Sequence, residues 1–277
     1  MHTLAEQLAQ EPFELVLSSG FFGFYAHTGV VLALEEAGLR PALLGGSSAG
    51  ALVAGLWGAG LSAHVLKDTL LQLDRAAFWD VDPLAGLPFF LRHGVLRSLA
   101  ERLGFERLAD EATGPGLLRG LAFDYLLREL LSRVSVRDFS DCATPVRIAA
   151  FNLATLKTQV LDDGDLTLAI RASCCFPGLF QPVRIGTHRF LDGGIADRPG
   201  LSIASPHARI LFHHLPTHSP WRKILRTPNE WPALPKLHVL HEPSLPRLSP
   251  YRLSPGPEAI RLALDMTRRR LRSPAEP

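Results

Sequence analysis

The residues Gly46-Ser47-Ser48-Ala49-Gly50 form G-x-S-x-G between an apolar run and a second, helix-like apolar run. That spacing suits a serine on a strained strand-to-helix turn, its hydroxyl exposed as a nucleophile for acyl transfer. Gly46 and Gly50 flank the elbow because a bulky residue there would collide with the neighbouring strand or the following helix. Ser48 is the central serine; Ser47 is excluded because Ala49 stands two positions after it. The same small residues also suit an ordinary tight turn between a strand and a helix, so the rest of the chain must decide.

Other chemistry-bearing groups are fewer. Asp162-Asp163-Gly164-Asp165 resembles a calcium loop only in acidity. It lacks the spaced ligands and closing glutamate of such a loop and reads as a solvated turn. Cys142, Cys174 and Cys175 contain no C-x-x-C pair and read as reduced thiols in a reducing, cytoplasmic compartment. His213, His214, His238 and His241 occur late in the chain. Neighbours on a strand point to opposite faces, so His213 and His214 make a poor metal pair. No metal and no cofactor is expected.

The elements that must position Ser48 follow from length and pattern. The chain has 277 residues, 47% hydrophobic and 20% charged, with net charge +2. These values fit a globular α/β chain and do not call for a nucleic acid partner. Residues 1–14 carry no signal-peptide pattern. Residues 41–63 hold no charge, the length of a membrane span, but they contain six glycines, three serines and the Ser48 motif. A buried strand, turn and helix is the better reading.

Residues 13–17 read as a buried strand, 27–38 as a helix ending on Gly38, 40–45 as a second strand, and the stretch after Ser48 as a helix to about Leu61. This β-turn-α-β-turn-α opening predicts a mostly parallel sheet with flanking helices. Residues 62–133 read as mostly helical, with aromatic, proline-broken stretches at 78–83 and 87–91. Those stretches suit either core packing or an apolar cap that touches acyl chains or lipid. Strands are expected at 145–151, 158–161 and 209–215, a helix at 167–173, and a hairpin of 182–185 with 188–191. Residues 216–257 read as an irregular proline-rich wrap, and 258–271 as a helix with a basic end at Arg268-Arg269-Arg270. That end suits a solvated face or weak attraction to anionic lipid.

Four ordered blocks resemble the patatin-like phospholipase family. Leu15-Val16-Leu17-Ser18-Ser19-Gly20 with His27-Thr28-Gly29-Val30 resembles its first block, and Gly45–Leu52 its nucleophile block. Arg171-Ala172-Ser173, Phe176-Pro177-Gly178 and Phe180-Gln181-Pro182 resemble a third. Leu191-Asp192-Gly193-Gly194-Ile195-Ala196-Asp197 resembles the D-G-G/A block. The resemblance covers residues 13–200 and implies a three-layer α/β/α sandwich, with 201–277 completing the same domain. It implies a lipid acyl hydrolase in which Ser48 is the nucleophile and Asp192, on the Gly193-Gly194 turn, is its base. It implies a lipid substrate, with any membrane contact peripheral.

The family's oxyanion loop, G-G-G-x-R/K-G, corresponds here to Ser18-Ser19-Gly20-Phe21-Phe22-Gly23. The basic residue is absent. A gapless alignment puts Phe21 at the third glycine; one inserted residue keeps Gly20 and Gly23 as the motif glycines. Oxyanion donors are therefore sought among Gly20, Phe21, Phe22 and Gly23. Two alternatives stand beside the dyad: a Ser-Asp-His triad that uses a late histidine, and a non-catalytic lipid- or partner-binding relative.

Overall fold

A computed structural model of the chain describes residues 2–73, 116–216, 231, 234, 236–249 and 252–275. The aromatic stretches at 78–83 and 87–91 lie outside them.

The first strand, β1 (Phe13–Leu17), is buried on both faces. Phe13, Leu15 and Leu17 enter the main core, while Val16 faces a smaller cluster on the other side. Double burial is the mark of a central parallel strand. β1 pairs in parallel with β2 (Leu43–Ser47) and with β9 (Arg209–His214). β2 pairs in parallel with β4 (Val146–Asn152), and β9 with β10 (Leu237–His241). Antiparallel strands join at the β4 side: β5 (Lys157–Leu161), β8 (His188–Leu191) and β7 (Val183–Ile185). The sheet order is β10-β9-β1-β2-β4-β8-β7, with β5 paired to β4. A short parallel pair, β3 (Gly116–Leu118) with β6 (Gly178–Phe180), stands apart.

Helices cover one face of the sheet and share its main core: α1 (Leu4–Gln10), α2 (Phe24–Glu36), α3 (Ala49–Gly58), α4 (Ala63–Leu71), α5 (Leu121–Ser132), α6 (Leu166–Ser173) and α7 (Gly256–Arg272). The layer on the second face is thinner. There Leu201 of a short 3-10 turn packs with Trp231 and Leu234 against Val16, Ile210 and Phe212, and Ile203 of the same turn packs against Leu43 and Ala149. The result is an α/β arrangement in three layers about a mostly parallel sheet, the helices making one outer layer and the 3-10 turn with its neighbours the other.

Most expected elements are present with shifted ends. α2 begins at Phe24, three residues before the expected start, because Gly20–Gly23 closes a turn in which the Gly23 N–H donates to the Gly20 carbonyl at 2.8 Å. Its end is as read: Gly38 (φ +67°) receives the last turn, with Gly38 N–H bonded to Glu35 O and Leu39 N–H to Leu34 O. The second strand starts at Leu43, not residue 40, and runs through Gly45 and Gly46 to Ser47. Four helices and strands escaped the sequence reading: the short strands β3 and β6, and α1 and β10. α1 is set by a Thr3/Glu6 capping box. β10 lies inside the stretch read as irregular wrap, where the long parallel register with β9 overrides the surrounding prolines.

Residues 41–63 form β2, the turn and α3 as expected, and no helix among the described residues is long and apolar enough to cross a membrane. The basic end of α7 is met by carboxylates: Arg268 pairs with Glu36 and Asp265, and Arg269 with Glu242.

Candidate active site

Ser48 stands between β2 and α3 with φ 53° and ψ −118°, a conformation that costs a non-glycine residue on the order of 1–3 kcal/mol. Both flanking glycines are sterically required. A Cβ on Gly46 would run into the backbone of Gly50, and one on Gly50 into the Leu17 carbonyl. The strained turn is held from outside. The Ser48 N–H donates to Ser173 Oγ at 2.8 Å, and that hydroxyl donates to the Ala149 carbonyl at 2.6 Å. The Ser48 carbonyl accepts from Leu52 N–H and from the Cys174 thiol, each at 3.2 Å.

Asp192 follows β8 and caps a 3-10 turn at Gly193–Ile195. Its backbone N–H donates to the Cys175 carbonyl at 2.9 Å. Thus three successive residues at the end of α6, Ser173 to Cys175, hold the backbone of both Ser48 and Asp192. Sequence reading saw Ser173 only as part of a matching block; its hydroxyl, placed to complete a buried backbone N–H, was the signal missed. Gly193 is needed for close packing, since a Cβ there would strike the Ala149 carbonyl.

The two side chains meet. Ser48 Oγ donates to Asp192 Oδ2 at 2.7 Å, and Asp192 Oδ1 accepts the Gly194 N–H at 2.8 Å. Asp192 is only 5% exposed. Burial pushes its pKa up to about 6, against the opposing pull of the Ser48 and Gly194 hydrogen bonds. Burial, with Asp192 nearby, also holds the Cys174 thiol well above its usual range, so it remains a protonated donor.

Gly20, Phe21 and Phe22 line the same cleft as Ser48 and Asp192. Gly23 does not: it caps α2 and its N–H is taken by Gly20 O. The loop is anchored at its start. Ser19 N–H donates to Arg198 O at 2.9 Å, Ser18 Oγ accepts Leu215 N–H at 3.0 Å, and His27 Nε2–H donates to Ser18 O at 2.9 Å. Ala49, the first residue of α3, also lines the cleft; sequence reading passed over its N–H, which the elbow motif places beside Ser48.

The late histidines bond elsewhere. His213 Nδ1 lies 2.8 Å from His27 Nδ1. Since His27 donates through Nε2, its Nδ1 accepts and His213 donates. His241 Nδ1 donates to His214 O at 3.4 Å, and His238 sits 3.3 Å from Arg209. None of these bonds reaches Ser48 or Asp192. Among the described residues no group of three His, Cys, Asp or Glu side chains is placed to hold a metal ion. In the acidic turn Asp165 caps α6, and Gly164 takes φ +75°.

The cleft above Ser48 is lined mostly by aromatic and aliphatic side chains: Phe21, Phe22, Phe24, Leu52, Leu118, Phe123, Phe176, Leu179 and Phe180. Phe21 is 44% exposed at its mouth and its ring lies 5.4 Å from that of Phe176.

Fold and site define a class: an α/β protein carrying a strained serine at the end of a parallel strand, against a buried carboxylate. The family model for patatin-like phospholipases matches residues 15–205, and the chain belongs to that family. It is 30% identical over 183 residues to an uncharacterized NTE family protein of Mycobacterium bovis, covering 66% of this chain and 42% of the relative. It is 28% identical over 202 residues to lysophospholipase nte1 of Emericella nidulans, covering 71% of this chain and 11% of that protein. The chain thus spans less than half the length of either relative. Among solved structures, VipD of Legionella pneumophila overlaps 94% of this chain and 67% of its own, with a TM-score of 0.49 and 13% identity.

Proposed function

We propose that this chain is a serine acyl hydrolase that cleaves carboxylic esters of lipids, phospholipids or lysophospholipids among them. The observation that carries the reading is the 2.7 Å hydrogen bond from Ser48 Oγ to a buried Asp192 on the floor of an apolar cleft. A serine hydroxyl is a weak nucleophile until a neighbouring base takes its proton. Asp192 takes it, Ser48 Oγ bonds to the ester carbonyl carbon, and the carbonyl oxygen gains the negative charge. Backbone N–H groups of the 20–22 loop and of Ala49 stabilise that charge, each such donor being worth about 3 kcal/mol. Collapse expels the alcohol, which receives the proton from Asp192, and leaves an acyl group on Ser48. Water, deprotonated by Asp192, then releases the fatty acid and restores the serine.

Membership of the patatin-like phospholipase family and similarity to a fungal lysophospholipase support lipid esters as the substrate class. Aromatic rings around the cleft support a peripheral approach to lipid, with Phe21 at the mouth. The test is fatty-acid release over a panel of phospholipids, lysophospholipids and chromogenic acyl esters. Release is expected from the native protein and a loss of at least a thousandfold in Ser48→Ala. Undiminished release by Ser48→Ala would sink the assignment. A serine-reactive phosphonate separates an enzyme from a binding relative, because labelling at Ser48 requires an activated hydroxyl.

A further inference from the structure

In the parallel pairing of β2 with β4, Leu44 stands opposite Val146, and its N–H donates to the Pro145 carbonyl at 2.9 Å. A parallel ladder repeats such a bond at every second residue. Two repeats further on, the Ser48 N–H would meet the Ala149 carbonyl. The register runs unbroken to Ser47 opposite Ala149, yet the Ser48 N–H bonds elsewhere. The Ser173 hydroxyl, on the fully buried last residue of α6, stands between the two groups. It accepts the Ser48 N–H at 2.8 Å and donates to the Ala149 carbonyl at 2.6 Å. One hydroxyl is thus inserted into the ladder at the point where β2 ends.

We propose that Ser173 is a positioning residue: its inserted hydroxyl holds Ser48 off β4, in the strained conformation that aims Oγ at Asp192. The proposal rests on the hydrolase reading above and adds what keeps the nucleophile on its base. Two further contacts point the same way. The Cys174 thiol donates to the Ser48 carbonyl at 3.2 Å, so successive side chains at the end of α6 hold both backbone polar groups of Ser48. The Ala149 carbonyl that anchors Ser173 also abuts Gly193, where a Cβ would strike it, so one carbonyl of β4 is a reference for nucleophile and base alike. This geometry gives Ser173→Ala a specific failure. Without the hydroxyl, the Ser48 N–H and the Ala149 carbonyl both lose a partner, and the nearest remedy is the ladder bond itself. Ser48 relaxes from φ 53° toward extended backbone, closes onto β4 and carries Oγ away from Asp192. The relaxed form recovers one hydrogen bond and sheds backbone strain, so the fold loses little while the serine loses its base. Because the Ser48 N–H is spent on Ser173, it is also not among the oxyanion donors.

The experiment compares the native chain, Ser173→Ala and Ser173→Thr on one chromogenic acyl ester. It reads kcat, KM, the acid limb of kcat/KM and the melting temperature. Ser173→Ala is expected to lose kcat by about thirtyfold or more with KM kept within about twofold, as for an interaction that acts in the transition state. The Ser48 hydrogen bond pulls the Asp192 pKa down, so its loss is expected to move the limb up from about pH 6 by roughly half a unit. Burial holds the nearby Cys174 and Cys175 thiols protonated, so the limb reports Asp192. The melting temperature is expected to stay within about 3 °C of the native chain. Ser173→Thr keeps the hydroxyl and is expected to restore kcat to within about threefold of native. A folded Ser173→Ala with native kcat overturns the proposal. So does a kcat loss with an unmoved limb and a larger drop in melting temperature, which would make the hydroxyl an ordinary structural bond. A crystal structure of Ser173→Ala decides without turnover, and also where Ser173→Thr fails to fold. Ser48 N is expected at about 2.9 Å from the Ala149 carbonyl oxygen, with Oγ out of hydrogen-bond reach of Asp192. An elbow unmoved from the native one overturns the proposal. A native chain without esterase activity, whose Ser173→Ala structure relaxes in this way, overturns the hydrolase reading and keeps the role of Ser173.

Discussion

Asp192 is a carboxylate whose surroundings work against its charge. It is buried beside apolar side chains, and the two hydrogen bonds it accepts, from Ser48 Oγ and Gly194 N–H, only partly offset that burial. A pKa of about 6 makes it a stronger base than an ordinary aspartate while leaving it ionised at neutral pH. Two consequences are measurable. In the proposed mechanism only the ionised form accepts the Ser48 proton, so kcat/KM is expected to fall about tenfold per pH unit below roughly pH 6. A limb near pH 4 would show that Asp192 is not the group that titrates. Asp192→Asn keeps the shape and a group to bond Ser48 and Gly194, but removes the buried charge. Activity is expected to drop at least a thousandfold. The native carboxylate binds its proton more tightly than the unfolded one, so its contribution to stability is present below pH 3.8 and is lost as pH rises through about 6. Above pH 6 the loss amounts to about 3 kcal/mol. Asp192→Asn should therefore melt several degrees higher at pH 8, with no such gain at pH 4. Equal melting temperatures at pH 8 would refute this.

At the level of elements, the site depends on where α2 and α3 are allowed to sit. α3 must approach the end of β1 closely enough for Gly50 to lie on the Leu17 carbonyl. α2 carries the 20–23 loop at its start, and its position is set on the far side by α7. There Gly29 meets the Ile260 carbonyl, and an added Cβ would also lie 2.9 Å from Ala263 Cβ and Leu264 N. Gly29→Val is expected to force the two helices apart, costing on the order of 1–3 kcal/mol and lowering the melting temperature by roughly 5 °C. A melting temperature within 1 °C of the native chain would show that the helices separate at no cost. The sequence made much of this layer readable. Glycines at 46 and 50, two residues either side of a serine, demand a strand-to-helix turn, and the hydrophobic runs around them are too short and too uniformly apolar for surface elements. It left β10 unread because proline density masks a five-residue strand whose stability comes from its partner β9, two or three dozen residues away. It placed the start of α2 three residues late because no side-chain cap marks it: Gly23 is the N-cap, and the turn before it is closed only by a backbone bond from Gly23 N–H to the Gly20 carbonyl. The role of Ser173 was unreadable for the same reason as the Ser48–Asp192 contact distance: both are long-range contacts, made only when the sheet brings α6 beside the elbow.

Across the whole molecule, three buried histidines, His27, His213 and His214, are held neutral by burial, unlike Asp192. His27 is fully buried, and burial brings its pKa down to about 4 despite the hydrogen bond to Ser18 O. Burial likewise lowers His214 to about 4, with Arg198 adding to the effect, and holds His213 well below the usual range. His213 Nε2 and His214 Nδ1 are buried without a hydrogen-bond partner, so neither ring gains by accepting a proton in place. The His27–His213 pair joins α2 to β9 and bonds the carbonyl at the head of the 20–23 loop, so charging it would strain fold and site together. The sign follows from linkage. Each of these histidines has a native pKa below its unfolded value of about 6.5, so the unfolded chain binds more protons as pH falls. Their stabilising contribution is complete above pH 6.5 and is lost as pH drops toward 4, at a cost approaching 3 kcal/mol for His27 alone. Asp192 opposes this between pH 6 and 4, but it is one group against three. The melting temperature is therefore expected to fall steadily from pH 7 to pH 4.5, and His27→Gln, whose side-chain amide can still donate to Ser18 O, is expected to flatten that slope by about a third. A slope unchanged in His27→Gln would mean that the buried pair does not carry the acid sensitivity of the fold.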